Sequence, residues 1–172
     1  MNTIKKTAVM SLPVSDKRTY VWSAVFVMCN IALPQLCHLV PGGGLVWLPV
    51  YLFTLVAAYK FGLAAGLLTA ILSPLANNLG FGMPPAEMLP VILCKSVLLA
   101  IAASYFANRA GRVALWAVAA AVVAYQAAGT LVEWGITGSL SAALQDIRVG
   151  WPGLLTQIFG GCLVMRLINS KQ

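Results

Sequence analysis

The chain has 172 residues, 60% of them hydrophobic and 9% charged, with 11 Lys and Arg against 4 Asp and Glu for a net charge of +7. A water-soluble domain carries about 25% charged residues, so this composition excludes a soluble surface, and its hydrophobicity excludes disorder. At about 20 residues per bilayer crossing, six helices use most of the length and leave no room for a separate soluble catalytic or nucleotide-binding domain.

In chain order, residues 1–18 read as a polar, basic tail and 19–172 as a single six-helix membrane domain. Lys5 and Lys6 precede a stretch broken by Pro13, Asp16, Lys17 and Arg18, so no cleavable signal peptide is expected. The first span is predicted at 20–38, with Pro34 near its far end. Gly42, Gly43 and Gly44 then break the helix. A short second span follows at 46–59, and a third at 62–79 kinked by Pro74. The turn Gly82-Met83-Pro84-Pro85 leads to a fourth span at 87–106 and a fifth at 113–134. A polar connection, 135–148, precedes the sixth at 149–168.

This arrangement places Lys5, Lys6, Lys17, Arg18, Lys60, Arg109, Arg112, Arg166 and Lys171 on one side and Arg148 alone on the other. Basic residues accumulate in cytoplasmic loops, so an all-α integral membrane fold with both termini cytoplasmic is expected. The same residues form no patch with interleaved aromatics, which argues against nucleic acid as a partner. Cys29, Cys37, Cys94 and Cys162 sit in apolar segments without CxxC spacing, and read as small packed side chains rather than disulfides or zinc ligands. No repeat relates the two halves.

Several polar residues fall within the spans. A charge near the bilayer centre costs at least about 2.5–3.5 kcal/mol, so Lys95 needs a partner. Glu87 lies about 12 Å from it along the helix and about 80° around it. Lys95 either presents a cation to an anionic or carbonyl-bearing ligand, or pairs with Glu133 or Glu87, or snorkels outward. In span five, Ala117, Ala120, Ala121, Ala124 and Ala128 form a small-residue face suited to close helix packing. Gln126, Thr130 and Glu133 lie opposite, facing a cavity or a partner helix. Asn77 and Asn78 follow Pro74 and can cap backbone groups or face a pocket. Asn30, Gln35, His38, Trp47 and Tyr51 gather around the first outer loop. His38 beside Cys37 reads either as a contact to a metal-bearing ligand or as a hydrogen-bonded interfacial side chain. The glycines lack the strand, helix and Lys of a phosphate cradle, and suit a flexible lid.

Six spans, the segment LPQLCHLVPGGG at 33–44, Leu48-Pro49, the stretch 66–74 and Gly82-Met83-Pro84-Pro85 together resemble an S-component, the substrate-binding membrane subunit of energy-coupling factor (ECF) vitamin transporters. The resemblance covers about residues 30–100, and the later spans match it in layout. It implies high-affinity capture of a vitamin or cofactor precursor at the outer face of a prokaryotic cytoplasmic membrane, with no chemistry of its own and no cofactor. His38, Gly43, Trp47, Asn78, Met83, Glu87, Lys95, Gln126 and Glu133 become candidate ligand contacts. The implied partners are a scaffold membrane subunit and ATPase subunits. Ala24 and Ala32 flank Met28 on span one, an imperfect small-residue docking signature. The alternatives are a structural subunit of another membrane complex or a solitary small-molecule transporter. A membrane enzyme is disfavoured, because no nucleophile–base pair, metal-ligand spacing or carboxylate pair is visible.

Overall fold

A computed structural model of the chain describes residues 9–170, all helix and connecting turns without strand; Lys5, Lys6 and Lys171 lie outside the described residues. The helices are α1 (Lys17–His38), α2 (Gly43–Trp47), α3 (Leu52–Phe61), α4 (Leu63–Phe81), α5 (Leu89–Ala110), α6 (Leu115–Thr137), α7 (Leu140–Ala143), α8 (Gln145–Arg148), α9 (Trp151–Leu155) and α10 (Gly161–Ser170). A 3-10 turn, Pro49–Tyr51, leads into α3, and a π turn, Thr156–Gly160, joins α9 to α10. Among the described residues five helical stretches are long and apolar enough to cross a membrane: α1, α4, α5, α6 and Trp151–Ile168. The protein is accordingly multi-pass.

The expected second span is different in form. The continuous apolar helix there is Pro49–Phe61, about 20 Å long at 1.5 Å per residue, against about 30 Å of bilayer core. Leu48 adopts left-handed φ 45 and ψ 48, and Pro49 has no N–H to extend α2, so α2 and α3 cannot fuse. The short helix is instead the centre of the bundle. Leu55, Val56, Ala57, Ala58, Tyr59 and Phe61 are fully buried, with α1, α4, α5 and α10 packed around them. A helix that is apolar all round belongs in such an interior. Gly66 lets α4 approach closely, since a Cβ there would collide with Ala58.

The two ends of the bundle differ chemically. At one end Met10 N–H donates to the Lys60 carbonyl at 2.8 Å and Leu12 N–H to the Phe61 carbonyl at 2.9 Å. These bonds satisfy orphan carbonyls at the C-terminus of α3. Tyr59 Oη donates to the Arg112 carbonyl at 2.9 Å, which brings the turn between α5 and α6 to the same end. The start of α1 is capped there by Asp16, whose carboxylate accepts from Arg18 N–H at 2.9 Å. Hydrogen bonds from the Arg18 side chain hold that carboxyl below the usual range. This basic end gathers Lys17, Arg18, Lys60, Arg109 and Arg112. The opposite end carries the turns expected to face a ligand.

α6 shows why its two sequence faces both matter. Its buried residues are Ala117, Val118, Ala121, Val122, Tyr125, Gln126, Gly129 and Glu133. At 100° per residue their arc is centred about 90° from the alanine face and about 90° from the polar face. Ala117 and Ala121 edge it on one side and Gln126 and Glu133 on the other. Ala124 is exposed, so the alanine face is half packing surface and half periphery.

Candidate functional site

Proline chemistry sets the geometry where α1 ends and α4 ends. Pro34 has no N–H to give the Asn30 carbonyl, its partner four residues back. Asn77 on α4 supplies the missing donor, its Nδ2 lying 2.9 Å from that carbonyl. The Asn30 side chain is equally engaged: Nδ2 donates to Thr54 Oγ1 at 3.1 Å and Ser73 Oγ at 3.2 Å, and Oδ1 accepts from Phe53 N–H at 3.3 Å. Three helices are thereby fastened to one another through a buried polar cluster. Asn78 turns the other way, and its Nδ2 donates to the Pro84 carbonyl at 2.7 Å. Both asparagines thus bond backbone carbonyls; Asn77 Nδ2 meets that of Asn30, which Pro34 frees, and that of Ser73 at 3.1 Å.

Between these fixed points lies a cavity of about 320 Å³, walled by Pro34 and His38 of α1, Gly42, Gly44 and Leu45, Pro49 and Val50, Asn77 of α4, Met83 to Pro85, and Met88 and Ile92. Two turns form its rim, one from the end of α1 to α3 and one from α4 to α5. The first is held tightly to the helix end. A Cβ on Gly43 would collide with the Cys37 carbonyl, and one on Gly44 would meet the His38 ring at 2.5 Å. Of the residues singled out in the sequence, His38 and Met83 line this cavity, and Gly43 and Asn78 shape its rim from behind.

Lys95 lies one turn deeper on α5, outside the cavity lining. It is 2% exposed. The Cα–Cβ bonds of a helix tilt toward its N-terminus, so the Lys95 chain runs toward the cavity end of the bundle. Its stem crosses Gly129 of α6, where a Cβ would meet Lys95 Cγ at 2.8 Å. The ammonium then reaches two carboxylates, Glu133 of α6 and Asp146 of α8, the latter at 2.7 Å. Glu133 is buried, and of the alternatives for Lys95 pairing with it is the arrangement that occurs. Glu87 plays no part: it sits exposed in the turn before α5, ahead of the helix start at Leu89.

Asp146 is the residue that sequence reasoning missed, absorbed into a polar connection. Charge counting offered a signal. The chain has only 4 acidic residues, and Asp16 lies at the basic end, so a buried lysine had few possible partners. The Tyr51 ring packs on Tyr125 of α6 at 5.6 Å. The turn Pro49–Tyr51 thus lines the cavity through Pro49 and meets α6 through Tyr51. Tyr125 Oη donates to Gln157 Oε1 at 3.0 Å in the π turn. Gln126 Nε2 donates to Thr130 Oγ1 at 3.4 Å, while Gln126 Oε1 finds no hydrogen-bond partner among the described residues.

Trp47 is half-exposed and outside the cavity lining; its backbone carbonyl packs where a Cβ on Gly153 would sit. Among the described residues no three His, Cys, Asp or Glu side chains gather to hold a metal ion. The arrangement offers an apolar cavity with a polar corner at His38 and Asn77, and apart from it an ion cluster of one lysine and two carboxylates. Comparison with known protein families, with curated proteins and with solved structures finds no match to this chain.

Proposed function

We propose that the protein captures a small molecule for uptake across a prokaryotic cytoplasmic membrane, as the substrate-binding subunit of an ECF-type vitamin transporter. The cavity of about 320 Å³ between the end of α1 and the start of α5 carries the reading. It has the size of a small-molecule site, and its mixture of apolar walls with few polar groups is what such sites use. In this reading the basic end is cytoplasmic by the positive-inside rule, and the cavity end faces outward. α2 with Pro49–Phe61 completes a sixth crossing inside the bundle, shielded from lipid by its neighbours.

The lining narrows the ligand class. Lys95 is already bonded to two carboxylates and does not line the cavity, so it offers no cation to the ligand there. Met83, Met88, Pro34 and Ile92 suit a largely apolar molecule with a planar part, since thioethers pack well on rings. His38 and Asn77 suit one polar group on it. A scaffold membrane subunit and ATPases supply the energy in this reading. Mass spectrometry of the protein purified from its native membrane tests the proposal: a stoichiometric, non-lipid small molecule supports it. A ligand-free protein that binds no vitamin at micromolar concentration refutes it.

A further inference from the structure

Lys95 needs one carboxylate for neutrality and has two. Glu133 comes from near the C-terminal end of α6, the long helix that Lys95 lies across. Asp146 comes from elsewhere: α8 is four residues long and follows the four-residue α7. This segment emerges from α6 at Gly138, which has φ +66, and passes into α9 through Gly150. Ser139, Ser141, Ile147, Arg148 and Val149 are exposed. Ala143 is fully buried and Ala142, Leu144, Gln145 and Asp146 are partly buried, so the segment is seated through one small side chain with a half-buried carboxylate beside it.

Its far corner abuts the wall of the cavity. A Cβ on Gly150 would meet Leu48 Cδ1 at 2.8 Å and the Leu45 carbonyl at 3.1 Å, and one on Gly153 would collide with the Trp47 and Val46 carbonyls. Leu45 and Pro49 line the cavity. The stretch 42–48 is thus clasped between the end of α1 and the corner at Gly150–Gly153.

We propose that the Lys95–Asp146 ion pair is a latch, holding α7–α8 down and, through the Gly150–Gly153 corner, holding the 42–48 wall of the cavity closed. This rests on the cavity being the ligand site. Releasing Asp146 leaves Lys95 neutralised by Glu133, so opening exposes no uncompensated buried cation. Asp146, with a side chain 15% exposed against 8% for Glu133, is the carboxylate that water can reach first. The surplus acid thereby has a role: it is the one that can leave.

The test is cysteine labelling of the full chain in lipid nanodiscs, without any ligand, after Cys29, Cys37, Cys94 and Cys162 are replaced by Ala. Ala143→Cys reports the α7–α8 seat, and Leu48→Cys, 6% exposed in the native residue, reports the wall. Asp146→Asn is expected to raise maleimide labelling at both positions by about tenfold, the effect of losing one charge-assisted hydrogen bond. Glu133→Gln, which keeps the latch, is expected to change neither by more than about twofold. Asp146→Ala is read alongside, so that the answer does not hang on one variant. Unchanged labelling in both Asp146 variants overturns the latch. So does an equal rise in Glu133→Gln, or a rise at position 143 without one at 48. Because no ligand enters the measurement, its failure leaves the capture reading standing, and failure to find a ligand leaves the latch result standing.

Discussion

The Asn77 side chain donates its hydrogen bond to the Asn30 carbonyl at 2.9 Å, and that carbonyl is the one Pro34 leaves without its helical partner. A hydrogen bond that α1 lacks at Pro34 is supplied by a side chain from α4. The bond ties α1 to α4 beside the cavity, which Pro34 and Asn77 both line.

Removing this donor orphans a buried carbonyl. Asn77→Ala is expected to lower stability by about 1–3 kcal/mol, whereas Asn78→Ala, which frees only a rim turn, is expected to cost about 1 kcal/mol or less. Thermal unfolding of the two variants in one detergent checks the order. Equal losses would mean that the Asn30 carbonyl has another donor.

The ion cluster carries a second prediction. Lys95→Met strands two carboxylates in a buried site, and breaking a buried pair by removing one partner costs about 3–5 kcal/mol. The triple variant Lys95→Met, Glu133→Gln and Asp146→Asn removes the charges together and is expected to recover most of that loss. Thermal unfolding of single and triple variants decides it: a triple variant no more stable than Lys95→Met would show that the loss comes from packing.

Glycines sort by what surrounds them. Gly43→Ala drives a Cβ into the Cys37 carbonyl and is expected to cost about 3 kcal/mol or more, read as loss of folded protein on size-exclusion chromatography. Gly80 lies in α4 with nothing near its Cβ position. Gly80→Ala is therefore expected to gain about 0.5 kcal/mol from helix propensity.

Much of this was legible from residue types. The positions of Pro34, Gly42 to Gly44 and the Met83–Pro85 turn announced where helices end, and those ends build the cavity. Long apolar runs located five spans to within a few residues. The partnership of Lys95 was only half legible: Glu133 was one of the alternatives that residue types offered, while Asp146 depends on how α7 and α8 fold back. The left-handed Leu48, which splits the expected second span, is equally silent in sequence, because nothing about a leucine announces positive φ. Glu87 was misjudged for a related reason. Pro84 and Pro85 delay the start of α5 to Leu89, leaving that carboxylate outside the helix.

The capture account is tested most directly by filling the cavity. Ile92 lines it from α5, and Ile92→Trp adds a ring where the ligand is proposed to sit. Wild-type and Ile92→Trp proteins, purified in parallel from native membranes, are compared by mass spectrometry for non-lipid small molecules released on denaturation. The account predicts one molecule per wild-type chain and at least about a tenfold loss in a variant that remains folded. Equal amounts from both proteins would contradict it.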